Sequence, residues 1–208
     1  MHKKAIQHLR RADPILARII DATGPCRLQP DHEQSPFEAL VEAVCHQQLT
    51  GKAAQTILGR VKALHSPRLF PAPEDLLATP DERLRAAGLS RAKVASVKDI
   101  SAKTLDGTVP TTEEIHKLGD AEIIERLTVI RGVGRWTVEM LLIFKLGRLD
   151  VLPVDDYGVR KGFGIAYRKR GLPKAAALLK HGESWRPYRS IGAWYMWRAI
   201  ELSRQEKK

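Results

Sequence analysis

Two groups of residues in the second half of the chain have types and spacing that suit chemistry. Gly132, Val133 and Gly134 form a glycine turn between two apolar stretches, and such a turn leaves backbone N–H groups exposed at the start of a helix. Asp155 and Asp156 form a carboxylate pair, and Asp156 stands 22 positions after Gly134. The turn suits a phosphate group, and a fixed carboxylate suits the stabilisation of a developing positive charge.

The hydrophobic pattern predicts the helices that position these two groups. We expect a helix that ends at Gly132, a second helix from Gly134 to about residue 146, and a third that begins at the carboxylate pair. The dipole of that third helix would stabilise a negative charge at its start. Either aspartate can also be a simple N-cap residue, so spacing alone leaves open which of them acts chemically.

The rest of the chain predicts an all-α fold. Asp13-Pro14 and the stretch from Ser35 to Glu38 carry helix-start signals, and no convincing strand pattern or internal repeat occurs. We expect one domain, 1–208, made of two lobes. The middle lobe covers about residues 35–147 and holds the glycine turn, and the other lobe combines 1–34 with 148–208.

The charge distribution predicts an anionic partner. The formal net charge is +11, and the segment from Tyr157 onward holds 13 Lys and Arg against 3 Asp and Glu. A basic region directly after the carboxylate pair is typical of nucleic-acid binding, although a basic surface that only confers solubility is the alternative.

Composition argues against several classes of protein. The two cysteines, Cys26 and Cys45, are too few for a disulfide scaffold, a zinc site or an iron–sulfur cluster. No run of 18 apolar residues is present, and the N-terminus lacks the apolar core of a signal peptide. We expect an intracellular protein without a membrane partner, cytoplasmic and nucleoid-associated or, in a eukaryote, nuclear.

The stretches Gly132-Val133-Gly134-Arg135-Trp136-Thr137 and Pro153-Val154-Asp155-Asp156-Tyr157 together resemble the helix-hairpin-helix DNA glycosylases of the endonuclease III superfamily. The resemblance is closest to the 3-methyladenine DNA glycosylase II, or AlkA-like, branch in its compact form without an N-terminal β domain. It implies a two-lobed fold with the active site in a cleft between the lobes. The segment Gln47-Gln48-Leu49 also resembles the stretch that, in this family, enters the base stack in place of the extruded nucleotide.

The resemblance implies a role for each aligned residue. Asp156, the second aspartate of the pair, aligns with the catalytic acid. The pocket for the extruded base would be formed by Trp136, Trp197, Tyr157 and Met140, where Met140 replaces a tyrosine of the E. coli-type enzyme. Leu49, with Gln48 second, would fill the gap in the base stack.

The resemblance also implies contacts to the DNA backbone. The hairpin residues that would hold a phosphate are Gly132, Val133, Gly134, Arg135 and Thr137. A monovalent Na⁺ or K⁺ ion would bind the backbone carbonyls of Thr128, Ile130 and Val133 when DNA is present, and no cofactor is required.

The activity implied is removal of alkylated purines from double-stranded DNA by a monomeric enzyme. Relatives that also cut the strand have a lysine where this chain has Trp136, and tryptophan cannot form a Schiff base. We therefore expect a monofunctional enzyme without lyase activity that leaves an abasic site. A catalytically silent DNA-binding module and a glycosylase for hypoxanthine or ethenoadenine are the alternatives.

Overall fold

The computed structural model describes residues 2–31 and 33–205, and the regular secondary structure within them is entirely helical. The prediction of an all-α fold is therefore confirmed. The chain divides into a terminal unit, Met1–Pro30 with Leu142–Lys208, and a middle unit, Asp31–Leu141. The predicted lobe limits at residues 34/35 and 147/148 lie a few residues from these boundaries. No helix in the described ranges is both long enough and apolar enough to cross a bilayer.

Within the described residues the helices follow one another in this order: α1 Lys3–Ala12, α2 Pro14–Thr23, α3 Pro36–His46, α4 Gly51–Ala63, α5 Pro73–Ala78, α6 Asp81–Ala86, α7 Arg91–Leu105, α8 Thr112–Ile115, α9 Asp120–Thr128, α10 Arg135–Phe144, α11 Tyr157–Ala166, α12 Ala175–Gly182 and α13 Arg189–Gln205. A short 3-10 turn, Glu183–Trp185, joins α12 to the segment before α13.

The predicted helix-start signals form as expected. The Asp13 carboxylate accepts hydrogen bonds from the backbone N–H groups of Ile15 and Leu16, both at 3.0 Å, which fixes the start of α2. Ser35 and Glu38 form a reciprocal capping box at α3, with a 2.8 Å bond from the Ser35 N–H to Glu38 Oε2. These caps satisfy backbone donors that no residue within the helix can reach.

The terminal unit is built around α13. Helices α2 and α11 pack on α13, and α1 packs on α2. The core contains the fully buried side chains of Leu16, Ile20, Trp185 and Tyr195. The buried Asp13 carboxylate lies among them and accepts hydrogen bonds from three side chains besides its cap bonds: Tyr167, His181 at 2.7 Å and Trp185 at 2.9 Å. One aspartate therefore joins the start of α2 to the region around α12.

The middle unit is built around α7. Helices α3 and α5 pack on α7, and α4 packs on α3. The side chains of Leu40 and Val44 on α3, and of Val97 and Ile100 on α7, are all fully buried. Helix α7 also packs against the glycine turn, where its Ser96 and Asp99 side chains contact the residues of the turn.

The helices beside the glycine turn are shorter than the sequence pattern indicates. The predicted first helix continues to Gly132, but α9 ends at Thr128, and α10 ends at Phe144 rather than near residue 146. Two tight turns replace the last part of the first helix: Ile130 N–H donates to Leu127 O at 3.2 Å, and Val133 N–H donates to Ile130 O at 3.1 Å. The apolar periodicity continues through these turns because Ile130 and Val133 are buried in the same core.

Candidate active site

Asp156 is the N-cap residue of α11. Its Oδ1 atom accepts a 2.7 Å hydrogen bond from the backbone N–H of Val159, which is the usual cap geometry. The same oxygen accepts a 2.9 Å bond from the indole Nε1–H of Trp197 on α13. The cap and the carboxylate predicted to be catalytic are therefore one residue, and Asp155 is not needed as the cap. Two N–H donors hold this carboxylate in a single orientation.

Trp197 is held on its other side by packing. Its ring stacks on Phe144, with ring centroids 5.6 Å apart and an interplanar angle of 27°. Gly158 lets the indole approach the start of α11, since a Cβ atom there would lie 2.8 Å from Trp197 Cδ1. Trp197 thus orients Asp156, a role that the sequence does not indicate. The expectation that Trp197 lines a base pocket stays a prediction.

The glycine turn requires glycine at position 132. Gly132 has a φ of +78°, which L side chains rarely adopt, and a Cβ atom there would lie 2.2 Å from Ser96 Oγ of α7. Helix α7 also holds the preceding residue, because Arg131 N–H donates a 2.7 Å bond to Asp99 Oδ2. The turn therefore lies directly on α7.

The predicted phosphate-binding groups divide into two sets. The N–H of Val133 is already used within the turn. The backbone N–H groups of Gly132, Gly134, Arg135 and Thr137 donate to no protein acceptor in the part of the chain that the structure describes. The Arg135 guanidinium lies beside Glu139, with Nε 2.9 Å from Oε1. Four of the five predicted residues thus keep a backbone donor for a ligand, and Val133 does not.

A cavity of about 560 Å³ lies next to the turn, inside the middle unit. It brings together Trp136 and Met140, both predicted pocket residues, with Gln48, the second predicted wedge residue. The Trp136 side chain is 44 % exposed although it is large and apolar. The residues that line this cavity are Ala43, His46, Gln47, Gln48, Gly132, Gly134, Trp136, Thr137 and Met140.

The predicted wedge residues occupy a strained and exposed turn after α3. Gln48 has a φ of +58°, and Leu49 is 41 % exposed. A left-handed φ is uncommon for a residue other than glycine, and such strained positions often lie at functional sites. The neighbouring Gln47 ties this turn to the hairpin, because its Nε2 donates a 2.9 Å bond to Gly132 O.

Lys93 of α7 forms hydrogen bonds to the backbone of the same segment. Its Nζ donates to Cys45 O at 2.9 Å and to Gln47 O at 2.8 Å, which satisfies carbonyls at the end of α3. Burial lowers the pKa of Lys93. Residue type and position do not indicate this role, since Lys93 stands in the first turn of a helix, where lysines are usually exposed.

Tyr157 is the first residue of α11, in the terminal unit. Its ring is 63 % exposed, its centroid is 5.6 Å from Lys161 Nζ, and it lines a separate cavity of about 270 Å³ formed by α11 and the segment after it. The predicted role of Tyr157 in a base pocket therefore stays a prediction. No cluster of three or more metal-ligating side chains occurs within residues 2–31 and 33–205.

Comparison with known proteins agrees with this geometry. A family model described as HhH-GPD superfamily base excision DNA repair protein matches residues 41–187. DNA-3-methyladenine glycosylase 1 of Schizosaccharomyces pombe is 42% identical over 201 residues, which cover 96% of this chain and 88% of that protein.

Two of the solved structures that match over most of the chain are named as enzymes of this kind. One is the S. pombe 3-methyladenine DNA glycosylase Mag1 in complex with abasic DNA, with a TM-score of 0.87, 41% identity and coverage of 97% of this chain and 98% of the other. The second is a Bacillus halodurans DNA-3-methyladenine glycosidase, with a TM-score of 0.86, 33% identity and coverage of 97% and 91%. The hairpin, the capped aspartate and these matches agree: the chain belongs to the HhH-GPD superfamily of base excision DNA repair proteins.

Proposed function

We propose that the protein is a monofunctional DNA glycosylase that extrudes alkylated purines, 3-methyladenine and 7-methylguanine among them, and releases them by hydrolysis. The observation that carries the proposal is the Asp156 carboxylate, whose Oδ1 is fixed by the N–H groups of Val159 and Trp197. Phosphate binding by the hairpin alone would not require such a group. Relatives named DNA-3-methyladenine glycosylase support the choice of substrate class.

The chemistry assigned to Asp156 is electrostatic. As the bond between C1′ and the base nitrogen breaks, the sugar acquires oxocarbenium character and the base leaves with the electron pair. A fixed carboxylate near C1′ stabilises that positive charge and orients a water, whose oxygen bonds to C1′ as its proton passes to the carboxylate. Because its two donors are already in place, the carboxylate needs no rearrangement when charge develops.

The base would be recognised mainly through its charge and shape. A purine methylated at N3 or N7 carries a formal positive charge, which weakens the glycosidic bond and is attracted to an aromatic face by about 0.5–2 kcal/mol. Trp136 supplies an exposed aromatic surface in the 560 Å³ cavity, and Met140 adds a polarisable wall. We propose that Trp197 and Tyr157 also contact the extruded base.

The DNA backbone would be held at the hairpin. The N–H groups of Gly134 and Arg135 suit a phosphate, and Leu49 with Gln48 would fill the gap that the extruded nucleotide leaves. A bound Na⁺ or K⁺ would neutralise phosphate charge there. The proposed ligands are the carbonyl oxygens of Thr128, Ile130 and Val133, of which Ile130 O accepts one hydrogen bond and keeps a second lone pair.

The absence of lyase activity follows from residue type. Trp136 has no amine to attack C1′, so water is the nucleophile and the strand stays intact at an abasic site. We also propose that the protein acts as a monomer on double-stranded DNA, in the cytoplasm or the nucleus.

Incubation with methylated duplex DNA tests the proposal. Release of free 3-methyladenine or 7-methylguanine, with strand breaks only after alkaline treatment, is the expected result. Retention of the DNA without base release would favour a silent binding module, and release of hypoxanthine or ethenoadenine alone would favour the other lesions. Strand breaks without alkali would contradict the monofunctional assignment.

A further inference from the structure

His46 ends α3 and lines the 560 Å³ cavity, and its ring is fixed by one polar contact. Its Nδ1 lies 2.9 Å from the backbone carbonyl oxygen of Glu42, one helical turn earlier. Because a carbonyl oxygen can only accept a hydrogen bond, Nδ1 carries the hydrogen. In the neutral ring Nε2 is then the acceptor, and the Glu42 contact fixes this tautomer.

The second ring nitrogen of His46 has no protein donor in the described part of the chain. The neighbouring polar group is already used, because the Gln47 amide donates to Gly132 O. Ala43 and Met140 share the cavity, and their side chains have no hydrogen-bond donor. A half-buried acceptor in a largely apolar cavity loses free energy when water is expelled unless the ligand supplies a donor.

We propose that His46 is a specificity-determining residue that accepts a hydrogen bond from an N–H group on the edge of the extruded purine. This inference rests on the proposed function and adds a chemical criterion to it. A 3-alkylated adenine has an exocyclic amino group, and a 7-alkylated guanine has N1–H and an amino group. The positive charge of these bases makes their N–H groups stronger donors.

The same criterion disfavours one class of lesion. In 1,N⁶-ethenoadenine the former amino nitrogen is part of a second ring, so the base edge has no N–H to donate. A site with a fixed acceptor discriminates against a ligand that lacks the matching donor, because the acceptor is then left unpaired. We expect His46 to favour release of 7-methylguanine over ethenoadenine by roughly 10-fold, the usual effect of one such hydrogen bond.

Two substitutions separate the hydrogen bond from the volume of the ring. His46→Phe keeps an aromatic ring and removes both nitrogens, and His46→Gln keeps an acceptor oxygen. Single-turnover release is measured from duplexes that contain 7-methylguanine or ethenoadenine. His46→Phe should lower release of 7-methylguanine by roughly 10-fold and change release of ethenoadenine by less than about 2-fold. His46→Gln should recover part of the loss, and equal losses on both lesions would overturn the inference.

A measurement on the wild-type protein does not depend on how the variants fold. The ¹⁵N resonance of His46 Nε2 should shift when free 7-methylguanine is added and stay unchanged with free ethenoadenine. No shift with 7-methylguanine would overturn the inference. A protein that releases neither base but shows the Nε2 shift would contradict the proposed hydrolysis and support His46 as a base contact.

Discussion

The indole Nε1–H of Trp197 and the backbone N–H of Val159 donate to the same oxygen of Asp156, at 2.9 and 2.7 Å. A carboxylate held by two donors has one orientation before any ligand arrives, which is the condition for electrostatic stabilisation without rearrangement. The predicted catalytic residue is therefore also the helix cap, and its orientation depends on both Val159 and Trp197.

Asp156→Asn separates charge from capping. Asparagine is as good an N-cap residue as aspartate, so the midpoint of thermal unfolding should stay close to that of the wild type. Base release should fall by at least about 100-fold, since the transition state loses its negative partner. DNA binding should be retained or improved, because one negative charge near the phosphates is removed. Single-turnover release and fluorescence anisotropy measure the two effects, and Asp155→Asn, with near-normal release, is the matched control.

Trp197→Phe tests the orientation of Asp156. Phenylalanine keeps a ring against Phe144 and removes the N–H, so we expect kcat to fall by roughly 10-fold while KM changes little. Trp197→Ala should lose more, because the aromatic surface is also removed. Trp194→Phe on the same helix controls for a general loss of packing. Wild-type kcat in Trp197→Phe would show that the hydrogen bond has no catalytic effect.

Gly132→Ala tests the fit of the hairpin against α7. Two costs combine there, a φ of +78° and a Cβ atom 2.2 Å from Ser96 Oγ. Gly107→Ala is the matched control, since Gly107 has a φ of +80° and open space where the Cβ would be. We expect Gly107→Ala to lose about 1 kcal/mol of stability and Gly132→Ala clearly more, together with weaker DNA binding. Denaturant unfolding measures the difference, and equal losses would mean that the contact with Ser96 relaxes at no cost.

Asp13→Asn tests the buried carboxylate of the terminal unit. Burial by itself raises the pKa of Asp13, but hydrogen bonds from His181, Tyr167, Leu16 and Trp185 outweigh it and hold that pKa below its ordinary value of 3.8. A depressed pKa contributes stability that is present above pH 3.8 and is lost as the pH falls toward the folded-state pKa. At pH 7 we expect Asp13→Asn to lose about 2–3 kcal/mol.

The pH dependence of stability separates the charge of Asp13 from its packing. Denaturant unfolding of both proteins at pH 7 and near pH 3 should show that the difference in stability narrows at the lower pH. Asp21→Asn, a substitution of an exposed carboxylate in the same helix, should have little effect at either pH. A difference that stays constant between the two pH values would assign the loss to packing.

The local parts of this site follow from the sequence. Gly132 predicts a turn, because glycine adopts a positive φ without steric cost. Asp156 predicts a helix start, because an aspartate side chain can cap the first turn of the next helix. The long-range contacts carry no local signal. Trp197 is 41 positions from the carboxylate it holds, and Gln47 is 85 positions from the carbonyl it reaches.

The errors have the same origin. The predicted helix runs on to Gly132 because the apolar spacing continues, whereas Asp99 of α7 takes the Arg131 N–H and favours a turn. Lys93 and His46 carry no sequence signal for a similar reason. Their roles depend on which backbone carbonyls and which cavity lie nearby, and residue type alone does not indicate either.

The bond from Gln47 to the Gly132 carbonyl has a mechanical consequence. This bond connects the hairpin to the turn on which Leu49 is exposed. Lys93 connects the same turn to α7. Loops that meet a ligand usually lose conformational entropy at that moment, and this loop has already lost it during folding. If Leu49 and the hairpin contact DNA as proposed, the leucine would already be held at a set distance from the phosphate site before a duplex binds, and the loop would not need to fold at each base step.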